Sequence, residues 1–165
     1  DPGNTRLYLI THELSLNSEI WSVPLGSPTI PVTGRLEGSI AEHNCSGLAV
    51  DSTYLYTACQ LPTSRILRVH RTTFAVEVLS NTVVVNTSMN SIHADDNTAD
   101  GIADALYLNV GTEEAYYVCG LGSTPFAGPF ASWGAATSNY GLGFDDAANR
   151  LYGYDDDTQE LIIIE

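Results

Sequence analysis

The sequence predicts an all-β chain built of about four antiparallel units, and two observations predict it. The first is a returning stretch. Gly47-Leu-Ala-Val-Asp-Ser-Thr-Tyr-Leu-Tyr56 comes back shortened as Gly101-Ile-Ala-Asp-Ala-Leu-Tyr-Leu108, and more fully as Gly141-Leu-Gly-Phe-Asp-Asp-Ala-Ala-Asn-Arg-Leu-Tyr152. The opening residues, Asp1 to Tyr8, match the second half of that last copy, so the chain opens inside a repeat. The second observation is a period. A Leu-Tyr pair begins at Leu7, Leu55, Leu106 and Leu151, in steps of 48, 51 and 45 residues, the scale of one supersecondary unit repeated in an array. Inside each unit, short runs of Val, Ile, Leu and Tyr alternate with Gly, Pro, Asn, Asp and Ser, as strands joined by turns do.

The units are expected at about 1–46, 47–100, 101–139 and 140–165, in one domain. In the first, Arg6 to Thr11 and Glu19 to Val23 read as strands. Thr29 to Thr33 reads as an edge strand, because Pro28 and Pro31 cannot donate to a ladder, and Glu37 to Ser46 reads as a polar connection. The second unit has four strands: Leu48 to Val50, Tyr54 to Cys59, Arg65 to His70 and Ala75 to Leu79. Asn86 to Asp100 reads as an acidic loop. The third unit runs Gly101 to Asn109 and Ala115 to Cys119, then enters a Gly- and Pro-rich stretch to Trp133 that is expected as a loop. Phe126, Phe130 and Trp133 there either cap a core edge or line a binding surface. The fourth unit has Tyr140 to Phe144, Arg150 to Tyr154 and Glu160 to Ile164. By this reading the first unit lacks an inner strand and the fourth an outer one. Either the chain is an excerpt of a larger ring, or its open edges are completed by further copies or another chain.

Composition narrows the function. The 165 residues carry a net charge of −14, and all six basic residues are arginine. Such a chain repels phosphate backbones and anionic lipid, which argues against nucleic-acid partners. No apolar run reaches the roughly 18 residues that membrane insertion needs, and Asp1-Pro-Gly3 has no signal-peptide character. Two sequons, Asn44-Cys-Ser46 and Asn86-Thr-Ser88, are candidate glycosylation sites and point to a secreted or cell-surface protein.

If Gly47 to Val50 and Tyr54 to Cys59 form a hairpin turning near Ser52, Cys45 faces Cys59, close enough for a disulfide. The alternative is two buried thiols. Cys119 is then left over. Arg65, Arg68 and Arg71 read either as a solvated outer strand with partners such as Glu77 or as a basic spot on an acidic body. Aspartates supply the remaining candidates. Asp155, Asp156 and Asp157 form a turn that could hold calcium, the one candidate cofactor, and Asp95, Asp96 and Asp100 offer similar ligands without the spacing of a calcium loop. Asp51, Asp104 and Asp145 fall at the ends of inner strands, where they either cap turns or converge on a channel. His43 and His93 occupy equivalent places before a first strand, the other histidines being scattered.

Overlaid, the units read Gly-apolar-small-x-Asp, a turn, apolar-Tyr-apolar, a turn, then Arg/Glu-apolar-apolar-x-apolar. This resembles the blades of extracellular β-propellers of the YWTD and NHL class, whose four-stranded sheets stand around an axis. Of the YWTD tetrapeptide only the tyrosine persists, at Tyr8, Tyr56, Tyr107 and Tyr152, so the resemblance transfers no ligand-binding residue. It implies a β-propeller-like array, or part of a larger propeller; a β-sandwich is the architectural alternative.

Neither a nucleophile elbow, a Cys-His metal spacing nor a phosphate loop occurs in the sequence. The expected function is a non-catalytic secreted or cell-surface module for protein or glycan recognition or structural assembly. The alternative is a propeller-type hydrolase or lyase with an acidic, calcium-dependent site built from Asp51, Asp104 and Asp145.

Overall fold

A computed structural model describes residues 6–11, 17–25, 34–61, 65–80, 89–96, 98–110, 115–121, 127–132, 139–145, 148, 150–155 and 159–164. Their strands form four antiparallel meanders. The first sheet is β1 (Arg6–Ile10), β2 (Ser18–Pro24) and β3 (Arg35–Ile40); the second is β4 (His43–Val50), β5 (Tyr54–Leu61), β6 (Arg65–His70) and β7 (Val76–Ser80). The third is β8 (Met89–Asp95), β9 (Ala105–Val110), β10 (Ala115–Gly120) and β11 (Ala127–Ser132); the fourth is β12 (Asn139–Asp145), β13 (Arg150–Asp155) and β14 (Glu160–Ile164). Among the described residues there is no helix, hence none long and apolar enough to cross a membrane. The first strands of the later sheets stand side by side, β4 against β8 and β8 against β12.

The Leu-Tyr pair explains how the sheets stack. Neighbours in a strand point to opposite faces, so each pair sends one side chain backward and one forward along the array. Leu55 belongs to the core shared by the first and second sheets, with Ile20, Ile40, Leu67 and Val69. Tyr56 belongs to the core shared by the second and third, with Ile66, Ile92 and Leu108. Leu106 points back into that same core, and Tyr8 of the first sheet packs forward onto the second. Because the second sheet is covered on both faces, β5 is buried from Leu55 to Cys59 without alternation. At the two ends the rows turn outward: Leu7 and Leu9 are 50% and 47% exposed, Leu161 and Ile163 63% and 50%.

Close packing of the inner strands depends on Gly47. The β4–β5 register slips between Ser46 and Leu48, a bulge at which Gly47 takes φ 68°. A Cβ there would lie 2.9 Å from Ile92 N and 3.0 Å from Ser91 Cα on β8, so a side chain would push the two inner strands apart.

Three sequence expectations are corrected. The polar connection Glu37 to Ser46 contains most of β3, paired with β2 from Ser18↔Ile40 to Ser22↔Arg35; an outermost strand keeps much of its surface in solvent and so looks polar. The acidic loop Asn86 to Asp100 contains β8, the inner strand of the third sheet, whose partner β9 supplies the ladder and whose Ile92 supplies the apolar contact. The Gly- and Pro-rich stretch contains β11, joined to β10 through bulges, with Pro129 on the outermost strand, where a missing donor is tolerated. Thr29 to Thr33 lies outside the described residues.

Candidate functional site

The carboxylate of Asp51 sits just after β4 and is 5% exposed. Its Oδ1 accepts the Thr53 and Tyr54 amides at 2.7 and 2.6 Å, closing the β4–β5 turn. Its Oδ2 accepts the Tyr56 hydroxyl at 2.6 Å and the Ala103 amide at 2.9 Å. Burial, then the hydrogen bond to Asp51, pushes the Tyr56 phenol well above its usual range. The third sheet repeats the pairing: the Tyr107 hydroxyl donates to Asp95 Oδ2 at 3.4 Å, and burial followed by the Asp95 charge raises that phenol too. The counterpart of Asp51 at an inner-strand end is therefore Asp95, with Asp104 one loop further on.

The other aspartates serve their own loops. Asp104 Oδ2 accepts the Thr98 amide at 3.0 Å, and Asp145 Oδ1 accepts the Ala148 amide at 3.2 Å. Asp96 accepts the Gly101 and Asp100 amides, and Asp100 the Ile102 amide. Among the described residues no group of three or more His, Cys, Asp or Glu is placed to hold a metal ion. Asp155 ends β13, opposite Glu160 in register; Asp156, Asp157 and Asn86 lie outside the described residues, as do Phe126 and Trp133. His43 opens β4, whereas His93 lies within β8 and stacks on Tyr107 at 6.4 Å, so the two histidines do not share a place.

Cys45 and Cys59 face each other across β4 and β5 and form a disulfide within the core shared by the first two sheets. Beside it, Asn44 is 7% exposed, and its amide nitrogen, the atom to which a glycan would attach, donates to Gln60 Oε1. Cys119 falls in β10 opposite Leu106.

The arginines separate. Arg65 pairs with Glu42 at 2.6 Å, and Arg68 pairs with Glu77 at 2.5 Å, in register across β6 and β7. The Glu77 hydrogen bond raises the Arg68 pKa further. Arg71 turns the other way. Its Nη1 donates to the main-chain oxygens of Asp51 and Ser52 at 2.8 and 3.0 Å, and its guanidinium lies 5.5 Å over the Tyr8 ring.

That turn forms one wall of a cavity of about 270 Å³ between the first two sheets. The facing wall is Arg6 and Tyr8 from β1 with Arg35 and Glu37 from β3. Glu37 anchors it: Arg6 Nη1 donates to Glu37 Oε1 at 2.9 Å, the Ser22 hydroxyl donates to the same oxygen at 2.5 Å, and Arg35 Nε lies 3.5 Å from Oε2. Phe74 on the turn side has φ 56°, a conformation that bulky side chains rarely adopt. Its amide donates to His70 O at 2.8 Å and its ring lies where a Cβ on Gly38 would touch it at 3.4 Å. Half of the arginines thus line one cavity on an acidic chain. Arg71 was visible in the sequence as part of a basic spot; Arg6, Arg35 and Phe74 carried no signal, because adjacency of sheets, not spacing, brings them together.

No protein-family profile and no curated protein matches the sequence. Among solved structures, the fold is similar to a chain in the crystal structure of a nidogen/laminin complex, with a TM-score of 0.66 at 15% identity. The match covers 94% of this chain and 60% of that one. The stacked three- and four-stranded meanders and this likeness together make the chain an all-β, β-propeller-like array.

Proposed function

We propose that the chain is a non-catalytic extracellular recognition module that binds a protein through the end of the sheets carrying the Asp51 turn and the arginine-lined cavity. The observation that carries the reading is the cavity itself, a cationic recess between two sheets on a body of opposite charge. The Cys45–Cys59 disulfide suits an oxidising compartment, and the similar structure comes from a complex between two proteins. The carboxylates of Asp51, Asp104 and Asp145 accept backbone amides, which favours scaffolding over general acid or base work.

The experiment is secretion of the chain from eukaryotic cells, followed by binding to a panel of purified extracellular proteins with and without chelator. Saturable binding that survives chelation is expected. Hydrolytic or lyase activity that requires calcium would overturn the reading and restore the enzyme alternative. Intact mass before and after glycan removal reads occupancy of Asn44 and Asn86.

A second reading, structural assembly, has its own observation in the exposed rows Leu7/Leu9 and Leu161/Ile163. Sedimentation at rising concentration tests it: association that Leu9→Ser with Leu161→Ser abolishes supports assembly through these faces.

A further inference from the structure

We infer that the cavity between the first two sheets is an anchor site for a single carboxylate, that of a glutamate or aspartate side chain on the partner protein. This rests on the recognition reading above and names the chemistry of its site.

The charges set the ligand's sign. Among the described residues that line the cavity, Arg6, Arg35 and Arg71 stand with Glu37, so the lining is cationic. Arg6 and Arg71 are pinned, the first by Ser22 and Glu37, the second by the Asp51 and Ser52 carbonyls. Arg35 is different: its contact with Glu37 is long, at 3.5 Å, and its side chain is 71% exposed. An exposed guanidinium beside two fixed ones is suited to close on an arriving carboxylate with a two-pronged hydrogen bond.

The chain's charge sets the rest of the ligand. A net −14 repels polyanions at a distance, whether sulfated glycan or nucleic acid. What reaches the cavity is an anionic group on a neutral or basic segment. The cavity's size, about 270 Å³, fits one residue rather than an extended chain. Tyr8 and Phe74 add apolar wall for the methylene stem of an acidic side chain. The strained backbone at Phe74 is of the kind that concentrates at ligand clamps.

The test is titration of the whole chain by NMR with a capped Gly-Glu-Gly peptide, its glutamine counterpart, glucuronate and inorganic phosphate. The glutamyl peptide is expected to bind, the glutamine peptide about tenfold or more weakly, and Arg35→Ala to weaken the glutamyl peptide by a similar factor. Arg35 is exposed, so its replacement leaves the fold intact; Arg35→Lys should restore part of the affinity. Equal binding of the two peptides, or no effect of Arg35→Ala, overturns the inference. Preference for glucuronate or phosphate overturns the acidic-side-chain assignment. If a panel protein binds Arg35→Ala as well as it binds the parent chain, the anchor fails while the recognition reading stands.

Discussion

Asp51 Oδ2 accepts the amide of Ala103, 52 residues away, at 2.9 Å, and so ties the inner turn of the second sheet to the β8–β9 connection of the third. The same oxygen accepts the Tyr56 hydroxyl, and the adjacent Ser52 amide donates to Gly101 O at 2.8 Å. One buried carboxylate therefore closes its own turn, orients the tyrosine that faces the next sheet, and fixes the spacing between sheets.

Replacing it should be expensive. Asp51→Ala leaves four donors without their acceptor, and a loss of at least about 3 kcal/mol in chemical denaturation is expected. Asp145→Ala, at an exposed position whose carboxylate accepts the Ala148 amide at 3.2 Å, should lose less, about 1 kcal/mol. Equal losses at the two sites would contradict the inter-sheet role of Asp51.

The Tyr56 phenol gives an alkaline signature. Its folded-state pKa lies above the ordinary value of 10.0, so its contribution to stability is complete below the unfolded value and is lost as pH rises past it. Unfolding free energy should fall from about pH 10 upward. Tyr56→Phe should flatten part of that slope and cost about 1 to 2 kcal/mol at neutral pH. An unchanged slope in the variant would show that other tyrosines carry the effect.

Gly47 should tolerate no side chain. Gly47→Ala both forces a residue with Cβ into φ 68° and meets the β8 backbone at 2.9 Å, and a loss of more than about 2 kcal/mol is expected. Gly143→Ala is the control, since a Cβ there meets nothing within 4 Å; it should change the thermal midpoint little.

Reducing the Cys45–Cys59 bond, which spans a sequence separation of 14, should lower stability by about 2 to 3 kcal/mol. Alkylation in denaturant under non-reducing conditions should label at most the third cysteine, Cys119. Labelling of all three would return the pair to the reading as buried thiols.

Much of the fold was legible because its repeat is carried by residues with fixed geometric jobs. The Leu-Tyr pair falls on β1 and on β5, β9 and β13, the second strands of the later sheets, and in the second sheet, covered on both faces, its leucine points backward and its tyrosine forward. Three strands that lack such a pair were missed. β3, β8 and β11 are polar, acidic or Gly- and Pro-rich, and they are strands because a neighbouring strand offers them a ladder. The same limit applied to the cavity: Arg6, Arg35 and Arg71 share no spacing, and only the packing of β1 and β3 against the β6–β7 turn gathers them.

By itself, the sequence determined the all-β repeat, its period, the Cys45 to Cys59 register and the acidic charge, all of which follow from local pattern and composition. The tertiary structure decided which polar stretches became strands, which aspartate holds two sheets together and where the arginines meet. Those outcomes depend on the partner a residue finds across a sheet or between sheets, and that partner is set by stacking rather than by neighbours in the chain.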